Sequence, residues 1–427
     1  MVRGRGRTLA VWAMAVGVAL AVPAAAYAAA DPAPYAFEDG ARTVQGGATP
    51  SQAEELEAGT PYRSSVGPEE RLVYSVELDA RSGAYVSVVA VPELGSDVTY
   101  ADGIEVTLQS GDGVRCGSQA KRVGAARHAR PLAVTADRTL GAGADRCSRA
   151  GTYDVVVERT GAKGSAAGAW ALEINFHEEP PLKSGGGATA APEDWNSTPP
   201  EAPSEDAGSV RGGSGFSSAA AVGAGAWKDR IAPGETRFYR VPLGWGQQLS
   251  AQAELNGVAD GGPAAGALAL SLADPARAEV TSEVVSSPAG QPRAALGALP
   301  PVDYANRFSP RTEVSTVRFP GQYYLQVTAG PELRAASGSD ELEVTLRIGV
   351  RGEAADTPEY AGDAGIFQVV PEDGGAGSGG AGRAGADGAG ADDSMKILAA
   401  AGLGSGTVLV LGLGVWTLVA RRRGAAV

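Results

Sequence analysis

Across residues 45–350, apolar and polar positions alternate with a period of two in short runs, and Gly or Pro breaks the runs often. Side chains two apart on a strand share a face, so this pattern predicts half-buried strands joined by turns. Tyr74, Val76 and Leu78 form one such row, and Tyr239, Val241 and Leu243 form another. Pro233-Gly234 predicts a turn before the second row, and Gly244-Trp245-Gly246 predicts one after it. Leu249, Ala251 and Ala253 open the next strand. The pair therefore reads as a hairpin with one buried and one wet face. No long helical period occurs outside the two termini.

The pattern also repeats. "YRSSVGPEERLVYSVEL", Tyr62 to Leu78, aligns without gaps with "WKDRIAPGETRFYRVPL", Trp227 to Leu243, at a constant offset of 165. Gly47 and Gly212 extend the pairing at the same offset. "AGTYDVVVE" from Ala150 matches "PGQYYLQVT" from Pro320, and each is followed by a further alternating strand. Two copies of one module are expected, over 45–180 and 212–352. The copies keep Pro233, Glu235, Tyr239, Val241 and Leu243. They differ at Arg230, Arg237, Arg240, Trp245 and Gln247, which appear as Ser65, Leu72, Ser75, Ala80 and Ser82. Most of the varying positions are expected to meet solvent. Trp245, unshared and set in a turn, is a candidate binding residue.

An opening strand after "PGE-x-x-x-Y-x-V-x-L", closed by "G-x-Y-x-L-x-V", resembles the bacterial pre-peptidase C-terminal domain. It is also similar to modules of actinobacterial cell-surface proteins that carry von Willebrand A domains. The resemblance covers most of 212–350 and is weaker over 45–180, where Gly234 becomes Glu69. It implies jelly-roll-like β-sandwiches with a binding or accessory role, and it carries over no catalytic residue. The resemblance also raises calcium, for which Asp97, Asp102 and Asp112 are loop candidates. Six to eight oxygen ligands cannot be gathered from them, and ordinary turn residues are the plainer reading. No D-x-S-x-S metal motif occurs, so a von Willebrand A domain is not expected.

The termini add a location. Residues 1–30 carry Arg3, Arg5 and Arg7, an apolar run and an Ala-rich cleavage region, the pattern of a secretory signal peptide. Residues 396–420 predict a transmembrane helix, with Ile397 to Ala420 free of charge. Arg421, Arg422 and Arg423 put the tail, 421–427, on the cytoplasmic side. Residues 181–211 and 353–395 read as a disordered linker and a flexible stalk. Seven of the 36 Lys and Arg lie in the terminal segments and all 49 Asp and Glu lie between them. The body thus carries 29 basic against 49 acidic side chains, a net charge of −20. Such a body is not expected to bind nucleic acid.

Candidate chemistry is sparse. Cys116 and Cys147 predict a disulfide in an exported protein. The loop between them holds the one basic cluster, Lys121, Arg122, Arg127 and Arg130. It reads either as a site for an acidic partner or as a solvated hairpin. His128 lies in the same loop, and His177 sits beside Glu178 and Glu179 at a strand end expected to be solvated. Neither H-E-x-x-H nor G-x-S-x-G occurs. No cofactor and no catalytic residue are expected. The reading is an all-β protein with two tandem β-sandwich domains. It would be anchored at the cell membrane and serve as a non-catalytic binding module for an envelope or exported protein. A tethered hydrolase or its targeting subunit, and a structural spacer, are the other readings.

Overall fold

The computed structural model describes residues 31–140, 147–161, 168–184, 190–198, 206–258, 264–287 and 291–370. The predicted signal peptide, the membrane span Ile397–Ala420 and the cytoplasmic tail lie outside these residues. Among the described residues no helix is long and apolar enough to cross a membrane.

The first module holds β1 (Arg42–Thr43), β2 (Glu54–Glu55), β3 (Pro61–Val66), β4 (Arg71–Leu78) and β5 (Gly83–Val91). It continues with β6 (Gly103–Ser110), β7 (Arg115–Arg122), β8 (Leu132–Arg138), β9 (Gly151–Thr160) and β10 (Trp170–Glu179). The second holds β11 (Gly208–Ser209), β12 (Ala220–Ala221), β13 (Gly225–Ile231), β14 (Thr236–Leu243) and β15 (Gln248–Asn256). It continues with β16 (Ala264–Ala273), β17 (Glu279–Ser287), β18 (Arg293–Ala295), β19 (Gly321–Ala329) and β20 (Leu342–Arg351). In the first module the sheet orders are β1-β3-β10-β5-β8 and β2-β4-β9-β6-β7. Adding ten to each label gives the two sheets of the second module, so the topology repeats strand for strand.

Two expectations are corrected by this pairing. The strands flanking Gly244-Trp245-Gly246 do not form a hairpin. β14 pairs with β19 in one sheet, and β15 pairs with β20 in the other. The turn is an arch between sheets, and alternation is the same for an arch and a hairpin. The upstream glycines also shift by one. Gly47 exchanges hydrogen bonds with Val73, and Gly213, not Gly212, does so with Phe238. A side chain at either glycine would collide with backbone, at Gln52 or at Ser218.

Inward rows of each module build its core. In the first, Tyr74, Val76, Val86, Val88, Ile104, Val106, Val155 and Ile174 meet between the sheets. The disulfide joins Cys116 in β7 to Cys147 ahead of β9. It closes a loop of 31 residues, a constraint of about 3–4 kcal/mol on the unfolded chain in the entropy model.

The outer face of the β1-β3-β10-β5-β8 sheet is not wet. Every residue of β5 but the last is buried, as the unbroken run "AYVSVVAV" suits. This face packs against the second module, with Val89, Phe216, Phe238 and Ala273 in one apolar cluster with Tyr35. All described residues belong to one unit. The polar outer row of β10 is buried with them. Glu173 accepts hydrogen bonds from the Tyr35 hydroxyl at 3.2 Å and the Glu38 N–H at 2.8 Å, and it pairs with Arg277. Glu179 pairs with Arg307 at 2.7 Å and accepts from Tyr85 at 2.7 Å and Tyr360 at 2.9 Å. Arg318 reaches Asp137 at 3.2 Å, and Lys121 pairs with Glu279. The strand end at Glu179 is therefore part of a seam, not a solvated edge.

Residues 353–370, assigned by composition to the stalk, lie along this seam as a strap. The Ala355 N–H donates to the Trp245 carbonyl at 3.0 Å. Leu182 and Lys183 of the linker pair with Tyr360 and Glu359. The Phe367 ring packs on Tyr85 of one module and Phe319 of the other, at 5.3 and 4.6 Å between centroids.

Removing one partner of a buried pair leaves an uncompensated charge. Arg277→Ala should lower stability by about 3–5 kcal/mol in chemical denaturation. Burial, and then the charge of Arg277, push the His177 imidazole down to about 4. The unfolded chain takes up this proton first as pH falls, so His177 stabilises the fold above about 6.5 and loses that contribution toward about 4. His177→Gln should flatten this part of the stability–pH curve.

Candidate functional site

The structure separates the residues that the sequence groups. Trp245 is only 6% exposed and stacks near Tyr360 at 6.3 Å beneath the strap. Its ring fills the arch and does not face solvent. A hollow of about 420 Å³ beside it is lined by Gly244, Trp245, Pro320, Tyr360 and Phe367. Asp229 and Arg237, both in the varying part of the repeat, are buried as well. Variation between the copies is thus not confined to solvent-facing positions.

The basic cluster divides. Lys121 turns to Glu279 across the seam, and Arg130 donates to the Val123 carbonyl at 3.0 Å. Burial lowers the Arg130 pKa. His128 is buried too, its Nδ1 2.7 Å from the Ala126 carbonyl oxygen, and burial lowers its pKa. Arg122 and Arg127 remain exposed and have no salt bridge to a described residue. Arg127 adopts a left-handed backbone, φ 58°, a conformation that costs a non-Gly residue energy.

The backbone between these two arginines is fastened to the loop of Asp97 and Asp102, whose apolar residues sequence reasoning did not single out. Residues 92–102 join β5 to β6 and are fastened to the end of β7. The Gly124 N–H donates to the Tyr100 carbonyl at 3.0 Å, and the Val123 N–H to the Asp102 carbonyl at 2.8 Å. Asp102 is buried, and its Oδ2 accepts the Thr99 N–H at 2.6 Å. Asp97 is exposed on the same loop, whereas Asp112 lies in the β6–β7 turn and accepts from Ser110. Fixed this way, the loop holds Tyr100 66% exposed and Leu94 37% exposed. The signal in the sequence was an aromatic and an aliphatic in a Gly/Asp-rich turn, which alternation does not flag.

Register places this tip. Loop 92–102 precedes β6, whose Gly103 pairs with Thr160 at the end of β9. The strap meets Tyr85 and Glu179 at the opposite end of the same sandwich. β9 has ten residues, so the two ends lie about 30 Å apart.

No group of acids, histidines or cysteines with metal-holding geometry occurs among the described residues. One carboxyl is strongly perturbed: burial raises Asp274 to about 7, against the opposing charge of Arg318. Asp274 is fully buried and accepts the Ala278 N–H at 2.8 Å, so it holds a turn and meets no solvent.

No family model matches the chain, and no curated protein does. Some solved structures share remote similarity. The arabinose-bound MgGH51 α-L-arabinofuranosidase is 9% identical over 28% of this chain and only 18% of its own, with a TM-score of 0.19. The tandem CBM51 modules of a family 98 glycoside hydrolase from Streptococcus pneumoniae SP3-BS71 are 9% identical over 68% of this chain and 84% of theirs, with a TM-score of 0.17. The CBM22-1–CBM22-2 tandem domain of Paenibacillus barcinonensis Xyn10C is 14% identical over 68% of this chain and 87% of its own, with a TM-score of 0.18. Values this low establish kinship with none of them.

Burial separates the two aromatics by experiment. Trp245→Ala should cost about 3–5 kcal/mol in urea unfolding, whereas Tyr100→Ala should change stability by no more than about 0.5 kcal/mol.

Proposed function

We propose that this chain is a membrane-anchored binding or accessory protein whose body acts outside the cell without catalysis. The export signal and the span at Ile397–Ala420 supply the location, and the resemblance to pre-peptidase C-terminal and von Willebrand A-associated modules supplies the accessory role. The observation that carries the reading is the placement of the tip. Tyr100, Leu94, Arg122 and Arg127 are exposed at one end of the first sandwich, and the strap leading toward the C-terminal anchor lies at the other. Tyr and Arg are favoured at the centres of protein interfaces, where one side chain combines apolar area with directed polar groups. The partner in this reading is another envelope or exported protein.

The test uses full-length protein in its own membranes, with a photo-crosslinking residue at position 100 or, as a control, at exposed Glu57. Position 100 should give a discrete crosslinked protein, and Arg127→Ala should reduce its yield at least about fivefold, the effect of losing about 1 kcal/mol. Equal, diffuse crosslinking from both positions would reject the tip as a docking surface. Cell-surface protease digestion should remove the body and leave the C-terminal tail protected; protection of the body would reject the proposed topology.

A further inference from the structure

The repeat lets one module serve as a template for the other. In the second module a polar network fills the space between the Gly212 loop and β13–β14. Asp229 accepts hydrogen bonds from the Gly212 N–H at 2.7 Å and the Tyr239 hydroxyl at 2.9 Å. Arg237 is 5% exposed, donates to the Gly212 carbonyl at 3.2 Å and pairs with Glu235 Oε1 at 2.9 Å. Arg211 lies 3.9 Å from Asp229. Glu235 Oε2 accepts the Ala232 N–H at 2.8 Å.

The first module keeps the frame and lacks the filling. Gln45, Ser64, Glu70 and Leu72 stand where Arg211, Asp229, Glu235 and Arg237 stand. The Tyr74 hydroxyl donates to Ser64 Oγ at 2.8 Å, as Tyr239 does to Asp229. Glu70 Oε2 accepts the Gly67 N–H at 2.5 Å, as Glu235 does from Ala232. Both arginines and the Asp229 carboxylate are gone. An open hollow of about 420 Å³ results, bordered by Gln45, Gly46, Ser64, Ser65, Glu70 and Leu72.

Charge follows the same comparison. The second module places two acids and two arginines here, and the first places one acid at these four positions. Arg63 also borders the hollow. Its guanidinium, however, lies over Phe37 at 4.8 Å and donates to the Glu38 carbonyl at 3.4 Å. Arg71 is taken by Glu158 at 3.2 Å. Glu70 has no salt bridge among the described residues.

We propose that this hollow binds a guanidinium or ammonium group, the chemistry that Arg237 supplies internally in the second module. Glu70 provides the countercharge, the Gly46 carbonyl and the Ser64 and Ser65 hydroxyls provide acceptors, and Leu72 offers an apolar wall for an alkyl stem. The cation comes from a basic side chain of a partner or from a small free molecule. The site is independent of the Tyr100 tip, so either can fail alone.

Full-length protein in detergent is titrated with N-acetyl-arginine amide, with its uncharged citrulline counterpart, and with the peptide Gly-Gly-Gly-Arg-Gly-Gly-Gly. Arginine amide should bind with a Kd of about 1 mM, and citrulline should bind at least about tenfold more weakly. Tighter binding of the peptide assigns the site to a protein partner, and equal binding assigns it to a small cation. Glu70→Gln, an exposed substitution, should weaken binding about tenfold. Ser64→Asp with Leu72→Arg rebuilds the second module's network and should abolish binding. Equal affinity for citrulline, or unchanged binding by Glu70→Gln, would overturn the proposal. Should the double variant fail to fold, the single substitution and the citrulline comparison still decide it.

Discussion

Two carboxylates on one strand determine how this body is put together. Glu173 and Glu179 sit on the outward row of β10, where an isolated sandwich would leave them in water. Each is instead enclosed and satisfied by groups from distant parts of the chain. Glu173 gathers the N-terminal segment through Tyr35 and Glu38, and the second module through Arg277. Glu179 gathers Tyr85 of its own module, Arg307 of the second and Tyr360 of the strap. A carboxylate removed from water is tolerated only when its lone pairs are met. The two modules, the N-terminal segment and the strap therefore cannot separate without stranding charge.

That constraint gives the body its polarity. The strap closes over Trp245 and ends with Phe367 wedged between Tyr85 and Phe319, so the chain leaves at one end of the sandwiches. The loop carrying Tyr100 is pinned at the other end by backbone bonds to residues 123 and 124. The proposed binding surface and the Phe367 end of the strap are kept apart by the length of the strands.

The repeat shows where a shared frame tolerates change. Strand order, the arch between sheets and the Gly47 and Gly213 bridges are common to both copies. Side chains packed around that frame are not. Asp229 and Arg237 form a closed network in one copy, and Ser64 and Leu72 leave a hollow in the other. The face shared with the neighbour differs too, since apolar β5 has the more polar β15 as its counterpart.

Much of the fold was legible before any coordinates. The period of two, the turns at Pro233-Gly234 and Gly244–Gly246 and the offset between Tyr74 and Tyr239 carry the all-β class and the two copies, because these are local properties of strands and turns. The Cys116–Cys147 bond was legible because only two cysteines could pair. The site was much less so. Burial of Trp245, the division of Lys121 and Arg130 from Arg122 and Arg127, and the change of His177 and Glu179 from a wet edge to a seam all depend on what covers a face. A strand's outward row has the same spacing whether water or another sheet lies beyond it. Only tertiary structure supplies the second surface, and with it the desolvation that turns ordinary surface charges into the groups holding the protein together.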